Sequence, residues 1–410
     1  MAATTPADLN LFTPEHVECP YPVHDGLRAE GVYRLPESNT FLVSRHEDVE
    51  HVLMRPDLYS NLVGADPAVL SKEQYARARL NGSLPGSDMP EHNHYRALVG
   101  RQFSARGVQP LEGRIREIVD GLIDPFAGRG RVELCHEFAT PLTVLVFVEQ
   151  MGIPDGDVER VKYWVDCTID AMAIAVGLLS PERVAEVTRE GEAFRRYLLD
   201  LAAERRRNPT GDLLSHIVNT EMPGMGDRVM SEQELTGMLV TLLMGGTETT
   251  LNMICSGMWL LLNHPEQMAE LVADFSLIPS FIEETLRVES PVQGLFRRAL
   301  VDSEVAGVHV PAGSRLFVMY GAANGDPERW HEPREFDIHR PQAKDHLAFG
   351  AGIHYCIGAP LARMEGRVAF ERLLTRLRNL RFSPEKNDFR HGPSHVIRGF
   401  GELWLDFDPE

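Results

Sequence analysis

Residues 349–358 read FGAGIHYCIG, with three glycines, one histidine and one cysteine in ten positions. A thiol in so flexible and crowded a segment is either a small buried apolar group or a ligand presented by the loop. Just downstream, Phe370, Leu373, Leu374 and Leu377 keep the i, i+3, i+4, i+7 spacing of a helix. Arg363, Arg367, Arg372 and Arg376 lie off that stripe. Cys356 therefore sits just before, or at, a helix N-terminus, where the positive end of the macrodipole favours thiolate. Gly350, Gly352 and Gly358 let the backbone approach a flat ligand and aim N–H groups at the sulfur. Phe349 offers an aromatic face and His354 a donor. Together these describe an axial thiolate for haem iron, the ligation that favours O–O cleavage. A zinc site of His346, His354 and Cys356 lacks a fourth ligand at normal spacing.

The run F-G-x-G-x-H-x-C-x-G is similar to the haem-binding signature of cytochromes P450. Phe349, Gly350, Gly352, His354, Cys356 and Gly358 match it in full, and APLARME continues in the family's manner. The resemblance extends from about residue 15 to the C-terminus. It implies a mainly α fold with small antiparallel β-sheets and a single P450 domain over 1–410, about 1–15 being a mobile extension. Haem b (iron protoporphyrin IX) would lie between a long central helix and the cysteine loop, with Cys356 as the axial ligand of the iron.

That central helix is legible by itself. SEQE is a capping box, with Ser231 as N-cap and Glu234 at the third helical position. The helix is expected to run until Pro265, about 33 residues or roughly 50 Å. Its middle, LVTLLMGG, is apolar on every face and so must be buried. Gly245 and Gly246 each cost roughly 1 kcal/mol against alanine there, which calls for a reason. Thr249 follows Gly245 by four residues, so its hydroxyl can take that carbonyl out of the ladder and open a groove. Glu248 is a carboxylate in an apolar helix, a costly placement unless solvated or paired. By resemblance Gly245 and Gly246 make room for oxygen, Thr249 hydrogen-bonds it, and Glu248 connects to a water chain that supplies protons.

In EETLR, Glu284 and Arg287 stand three apart on one helix face and can pair. The resemblance makes this pair structural, buried behind the haem and joined by a further arginine, either Arg334 or Arg340. Gly325 stands where many members carry arginine, which leaves the role of that side chain unfilled. Haem propionates need cationic or hydrogen-bonding partners. His92 and Arg96 share a helix face at i and i+4 and match the family's H-x-x-x-R. Arg297 and His354 complete the expected set, with Arg298 as the alternative to Arg297.

The 410 residues carry 41 Lys plus Arg against 60 Asp plus Glu, a net charge of −19 that argues against nucleic acid as a partner. The polar start MAATTPADLN has no basic or apolar region of a signal peptide, and no uncharged apolar run is long enough to span a membrane. A cytoplasmic monomer is expected. The five cysteines are scattered without a C-x-x-C, so neither a disulfide framework nor an iron–sulfur site is indicated. Hairpins are expected around residues 37–39 and around Pro311-Ala312-Gly313, and a closing strand over 396–407.

The resemblance implies a haem-thiolate monooxygenase that puts one oxygen atom from O2 into a small organic molecule by hydroxylation or epoxidation. Neither a flavin-binding motif nor a set of four clustered cysteines is present, so electrons would come from NAD(P)H through a reductase and a ferredoxin. An acidic partner would need a basic face, for which Arg101, Arg106, Arg114, Lys344, Arg363 and Arg367 are candidates. The loop 61–88, Met172, Ile174, Val176, Thr241, Met244, Val292, Gln293, Leu295, Phe296, Val396 and Ile397 are expected around the substrate. Most are apolar, which suggests an apolar substrate, with Gln293 holding one polar group. A peroxygenase or rearranging enzyme is the rival reading, and Glu248 with Thr249 opposes it. A haem protein that merely binds a gas would need no substrate entry and no docking face.

Overall fold

The computed structural model describes residues 13–36, 38–174, 180–222, 224–226, 228–392 and 394–409, with only the backbone at 14 and over 169–174. Met172, Ile174 and Val176 are therefore outside the described side chains, as is most of the expected 1–15 extension. At its end, Thr13 caps the helix Pro14–Glu18.

The central helix spans Glu232–Asn263, and both halves of the Ser231–Glu234 capping box form. It ends at His264, immediately before Pro265. Leu235, Met238, Leu239, Leu243, Ile254 and Met258 are buried on it, so apolar burial rather than surface pairing fixes its place. It packs against the helices Thr140–Met151, Ile278–Val288 and Ala359–Arg376. Gly257 permits a close approach to two of these helices. A Cβ there would stand 2.7 Å from Phe370 and 3.0 Å from Phe281, whose rings meet edge to face at 4.7 Å.

Beside this helical body lies a five-stranded sheet in the order Val32–Arg34, Thr40–Val43, Arg315–Val318, Leu295–Ala299, Tyr59–Ser60. The strands on either side of the expected turn pair, with Val32 opposite Val43, while residue 37 of that turn lies outside the described residues. One pair is parallel rather than antiparallel, Thr40–Val43 with Arg315–Val318.

Two strand expectations need correction. The second hairpin turns at Ala306-Gly307, joining Ser303–Val305 to Val308–Val310, and not at 311–313. Both turn residues have positive φ, 50° and 78°, the backbone twist that a tight hairpin requires. Pro311–Gly313 instead carries the chain from that hairpin into the five-stranded sheet. The closing strand is Trp404–Asp408, between Arg131–Glu133 and Arg378–Phe382. Upstream, only isolated bridges occur at Ile397 and Phe400. Arg398 turns inward there to donate to Glu289 at 2.8 Å, and Gly399 lies against Asn252, so no ladder continues.

Candidate active site

The central helix, the helix Glu91–Val99, the strand Leu295–Ala299 and the cysteine loop enclose a cavity of about 500 Å³. Cys356 lies on its wall where the loop meets the helix Ala359–Arg376. The Cys356 amide donates to the Phe349 carbonyl at 2.8 Å, closing the loop on itself. Gly350 and Gly352 hold φ of 69° and 67°, and a Cβ on Gly352 would stand 2.7 Å from the Leu53 carbonyl. Burial pushes the Cys356 thiol up. The backbone N–H groups of Gly358 and Ala359, with the charges of Arg96 and Arg363, pull it back.

The central helix presents Gly245, Gly246, Glu248 and Thr249 to the same cavity. A Cβ on either glycine would meet nothing within 4 Å, so both positions open onto free space. The Thr249 hydroxyl donates to the Gly245 carbonyl at 2.8 Å. Thr247 makes the same bond to Leu243 but is buried away from the cavity. Glu248 makes no hydrogen bond or ion pair among the described residues, and burial raises its pKa.

At one edge of the cavity four nitrogen-bearing side chains converge: His92, Arg96, Arg297 and His354. The His92 and His354 rings lie 4.1 Å apart. Burial first, then repulsion from His92, Arg297 and Arg96, pulls His354 down to about 3. Arg297 is 4% exposed and, among the described residues, donates only to the Phe296 carbonyl, at 2.9 Å. No carboxylate pairs with Arg96 or Arg297 among the described residues. Buried cations without anions are costly, so this edge suits a ligand that brings its own carboxylates. Arg298 faces elsewhere and pairs with Asp66 at 3.3 Å. The residues present thus fit haem: a thiol with amide donors, open space above glycines, and unpartnered donors for two propionates. No group of three or more metal-ligating side chains stands elsewhere among the described residues.

The Glu284–Arg287 pair is fully buried and bidentate, at 2.7 Å for both bonds. Arg340 completes the cluster at 2.9 Å from Glu284. Arg334 instead pairs with Asp25 at 2.6 Å and fills the space beside Gly325, where a Cβ would meet its guanidinium at 2.7 Å.

The sequence profile of the family Cytochrome P450 matches residues 179–393. The chain is 38% identical over 388 residues to Cytochrome P450 107B1 of Saccharopolyspora erythraea, covering 92% of each protein. The chain belongs to the cytochrome P450 family. It is also 37% identical over 403 residues to the Cytochrome P450 monooxygenase PikC of Streptomyces venezuelae, covering 97% of this chain and 93% of that one. Among solved structures, Cytochrome P450 CYP109Q5 from Chondromyces apiculatus superposes with a TM-score of 0.85 at 34% identity, covering 98% of this chain and 99% of the other. This P450 is therefore a monooxygenase of a family that carries haem.

Of the expected substrate contacts, Thr241, Met244, Val292, Leu295 and Ile397 line the cavity, with Asn61, Leu84 and Pro85 from the loop 61–88. Gln293 and Val396 do not. Gln293 is turned away to donate to the Ser290 carbonyl at 2.7 Å, and the Val396 carbonyl accepts from the Gln293 amide at 2.7 Å. Phe296 is also outside, packed on Phe317 at 4.8 Å. Of the six basic candidates for docking, three are engaged. Arg114 pairs with Glu117 and Glu149, Arg363 with Glu283, and Arg367 with Glu112 and Glu371. Arg101, Arg106 and Lys344 are exposed and make no ion pair among the described residues.

Among the cavity residues that escaped the sequence reading, Glu365 carries a charge-bearing group. Glu365 is 2% exposed, its Oε2 has no partner, and burial raises its pKa well above the ordinary carboxylate range. The signal was available: Glu365 lies four after Leu361 and three before Val368, inside the apolar stripe of its helix.

Proposed function

We propose that this P450 inserts one oxygen atom from O2 into a mainly apolar small organic substrate, using electrons that reach it from NAD(P)H through a reductase and a ferredoxin. The observation that carries the reading is that Cys356 and the Glu248–Thr249 pair line one cavity. When bound, haem supplies the oxygen-activating chemistry. Cys356 would hold its iron, and Arg96, Arg297, His92 and His354 would hold its propionates.

The chain's own residues then orient substrate and move protons. The Thr249 hydroxyl, bonded to the Gly245 carbonyl, sets a polar group beside the free space over Gly245 and Gly246, a polar groove in an apolar wall. Glu248 stands beside that groove with a pKa raised by burial, so it can carry a proton closer to neutral pH than an ordinary carboxyl. Val292, Leu295, Ile397, Leu84, Pro85 and Met244 give the substrate an apolar surface, and Thr241 is spent on Ser83 at 3.2 Å. Arg101, Arg106 and Lys344 are the cations left to attract an acidic electron donor.

The test is the absorption spectrum of the purified protein, reduced with dithionite and then exposed to carbon monoxide. A strongly red-shifted Soret band, lost in Cys356→Ser, supports thiolate ligation. Screening of apolar compounds for a low-to-high-spin shift then identifies the substrate class. Haem absent from a well-folded preparation overturns the proposal.

A further inference from the structure

The cysteine loop is braced from outside by side chains that the reaction itself does not use. Glu283, on the helix Ile278–Val288, accepts from Arg363 Nε at 2.6 Å and from Nη2 at 2.8 Å. The Arg363 guanidinium, on the helix Ala359–Arg376, lies 4.6 Å from the centre of the Phe349 ring and donates to the Tyr355 hydroxyl at 3.2 Å. His346 approaches the same carboxylate at 3.3 Å, and its ring stands 5.7 Å from that of Phe349. The Phe349 carbonyl in turn accepts from the Cys356 amide at 2.8 Å. A single carboxylate thus ties two helices to both ends of the ligand loop.

We propose that Glu283 and Arg363 are positioning residues: they fix Phe349, and through its carbonyl the Cys356 backbone, so that the loop keeps its sulfur on the iron. The inference rests on the haem-thiolate reading above. Most surface ion pairs position nothing, because two long side chains gain little from meeting in water. This one differs in three respects. Glu283 is 14% exposed, the bond is bidentate, and the cation is stacked on a ring as well as paired. Arg363 itself is 32% exposed, so without its carboxylate the guanidinium has a path into solvent, away from Phe349. Partners of a metal ligand that lie one contact further out commonly matter this way.

The test uses holoenzyme of the parent, Glu283→Gln, Arg363→Met, Arg363→Lys and a control, Glu371→Gln. Glu371, on the same helix as Arg363, pairs with Arg367 and with Arg116 of the helix Glu112–Ala127, away from the loop. Two quantities are read: the rate at which the reduced carbon monoxide complex loses its red-shifted Soret band, and the thermal midpoint. Loss roughly tenfold faster in Glu283→Gln and Arg363→Met, intermediate in Arg363→Lys, and unchanged in the control is the expected result. Arg363→Lys keeps the cation, and it carries the comparison where Glu283→Gln yields little holoenzyme. Rates equal to the parent, or rates that merely follow the midpoint in all four variants, overturn the proposal. A parent without any red-shifted band would instead refute the haem-thiolate reading, and the positioning role would fall with it.

Discussion

The Thr249 hydroxyl donates to the Gly245 carbonyl at 2.8 Å on the cavity face of the central helix. Back-bonding itself needs no glycine, since Thr247 bonds Leu243 in the same way; the two glycines instead leave free space beside the Thr249 hydroxyl. Thr249→Val removes the hydroxyl at nearly constant volume. It should leave haem content and the substrate-induced spin shift intact. Product formed per NAD(P)H consumed should fall by roughly tenfold or more, because proton delivery loses its positioned donor. Thr249→Ser should restore most of it. Product and NAD(P)H measured in the same reaction decide, and a Val variant as well coupled as the parent would refute the role.

At the opposite edge of the cavity, Arg297 and Arg298 are adjacent in sequence yet differ in what they face. Arg297 enters the cavity without an anion, and Arg298 leaves it for Asp66. A charge-assisted hydrogen bond contributes about 1.5–3 kcal/mol, or roughly 10–100-fold in binding. Arg297→Leu should therefore release haem to an acceptor protein by about that factor more readily. Arg298→Leu should leave haem release near the parent's. Equal effects of the two would remove the propionate assignment.

The Glu284–Arg287–Arg340 cluster makes a prediction about folding rather than catalysis. Arg287 also donates to the carbonyls of Asn324, Pro333 and Glu335, so it joins its helix to the irregular segment before the cysteine loop. Arg287→Leu leaves a buried carboxylate with fewer partners and should cost about 3–5 kcal/mol in denaturant unfolding. Arg340→Ala should cost less, because Arg287 still covers the same carboxylate. A neutral Arg287→Leu would mean that water replaces the guanidinium.

How far the sequence carried the reading depends on the range of each signal. The capping box at Ser231, the threonine four after Gly245 and the glycines around Cys356 are local patterns, and each appears where the pattern places it. Long-range choices were not legible. Whether Arg334 or Arg340 reaches Glu284 depends on how the segment 325–340 folds back, and nothing in the spacing decides it. Gln293 has a nearer cause: its side-chain amide is captured by the Ser290 carbonyl three residues upstream. The second hairpin was misplaced for a different reason. Pro-Ala-Gly is the louder turn signal, yet Ala306-Gly307 lies between the strands that pair. The helix Lys72–Arg79 inside the expected loop 61–88 also had its sign, a capping box of Ser71 and Gln74.

Docking should depend on the three unpaired cations and not on the paired ones. Arg101→Glu, Arg106→Glu and Lys344→Glu together should slow reduction by an acidic ferredoxin and flatten its dependence on ionic strength. Arg114→Glu should change the rate less, since Arg114 is already engaged by Glu117 and Glu149. Stopped-flow reduction at several salt concentrations separates the two cases. An unchanged salt slope in the triple variant would place the docking face elsewhere.

Glu365 offers a test in which the sign is fixed before the measurement. Its carboxyl is buried, Oε2 has no partner, and burial raises the folded-state pKa well above that of the unfolded chain. Below the unfolded value both states are protonated and burial of the carboxyl costs little. As pH rises between the two values, the unfolded state gives up a proton that the folded state keeps. Stability then falls by about 1.4 kcal/mol per pH unit from this group alone. Glu365→Gln cannot ionise and escapes that loss. The variant should match the parent near pH 4 and become progressively more stable than it as the pH approaches 8, by urea unfolding of the two proteins in parallel. A constant difference across that range would mean that Glu365 ionises in place, held by water or by a cation that reaches it through the cavity.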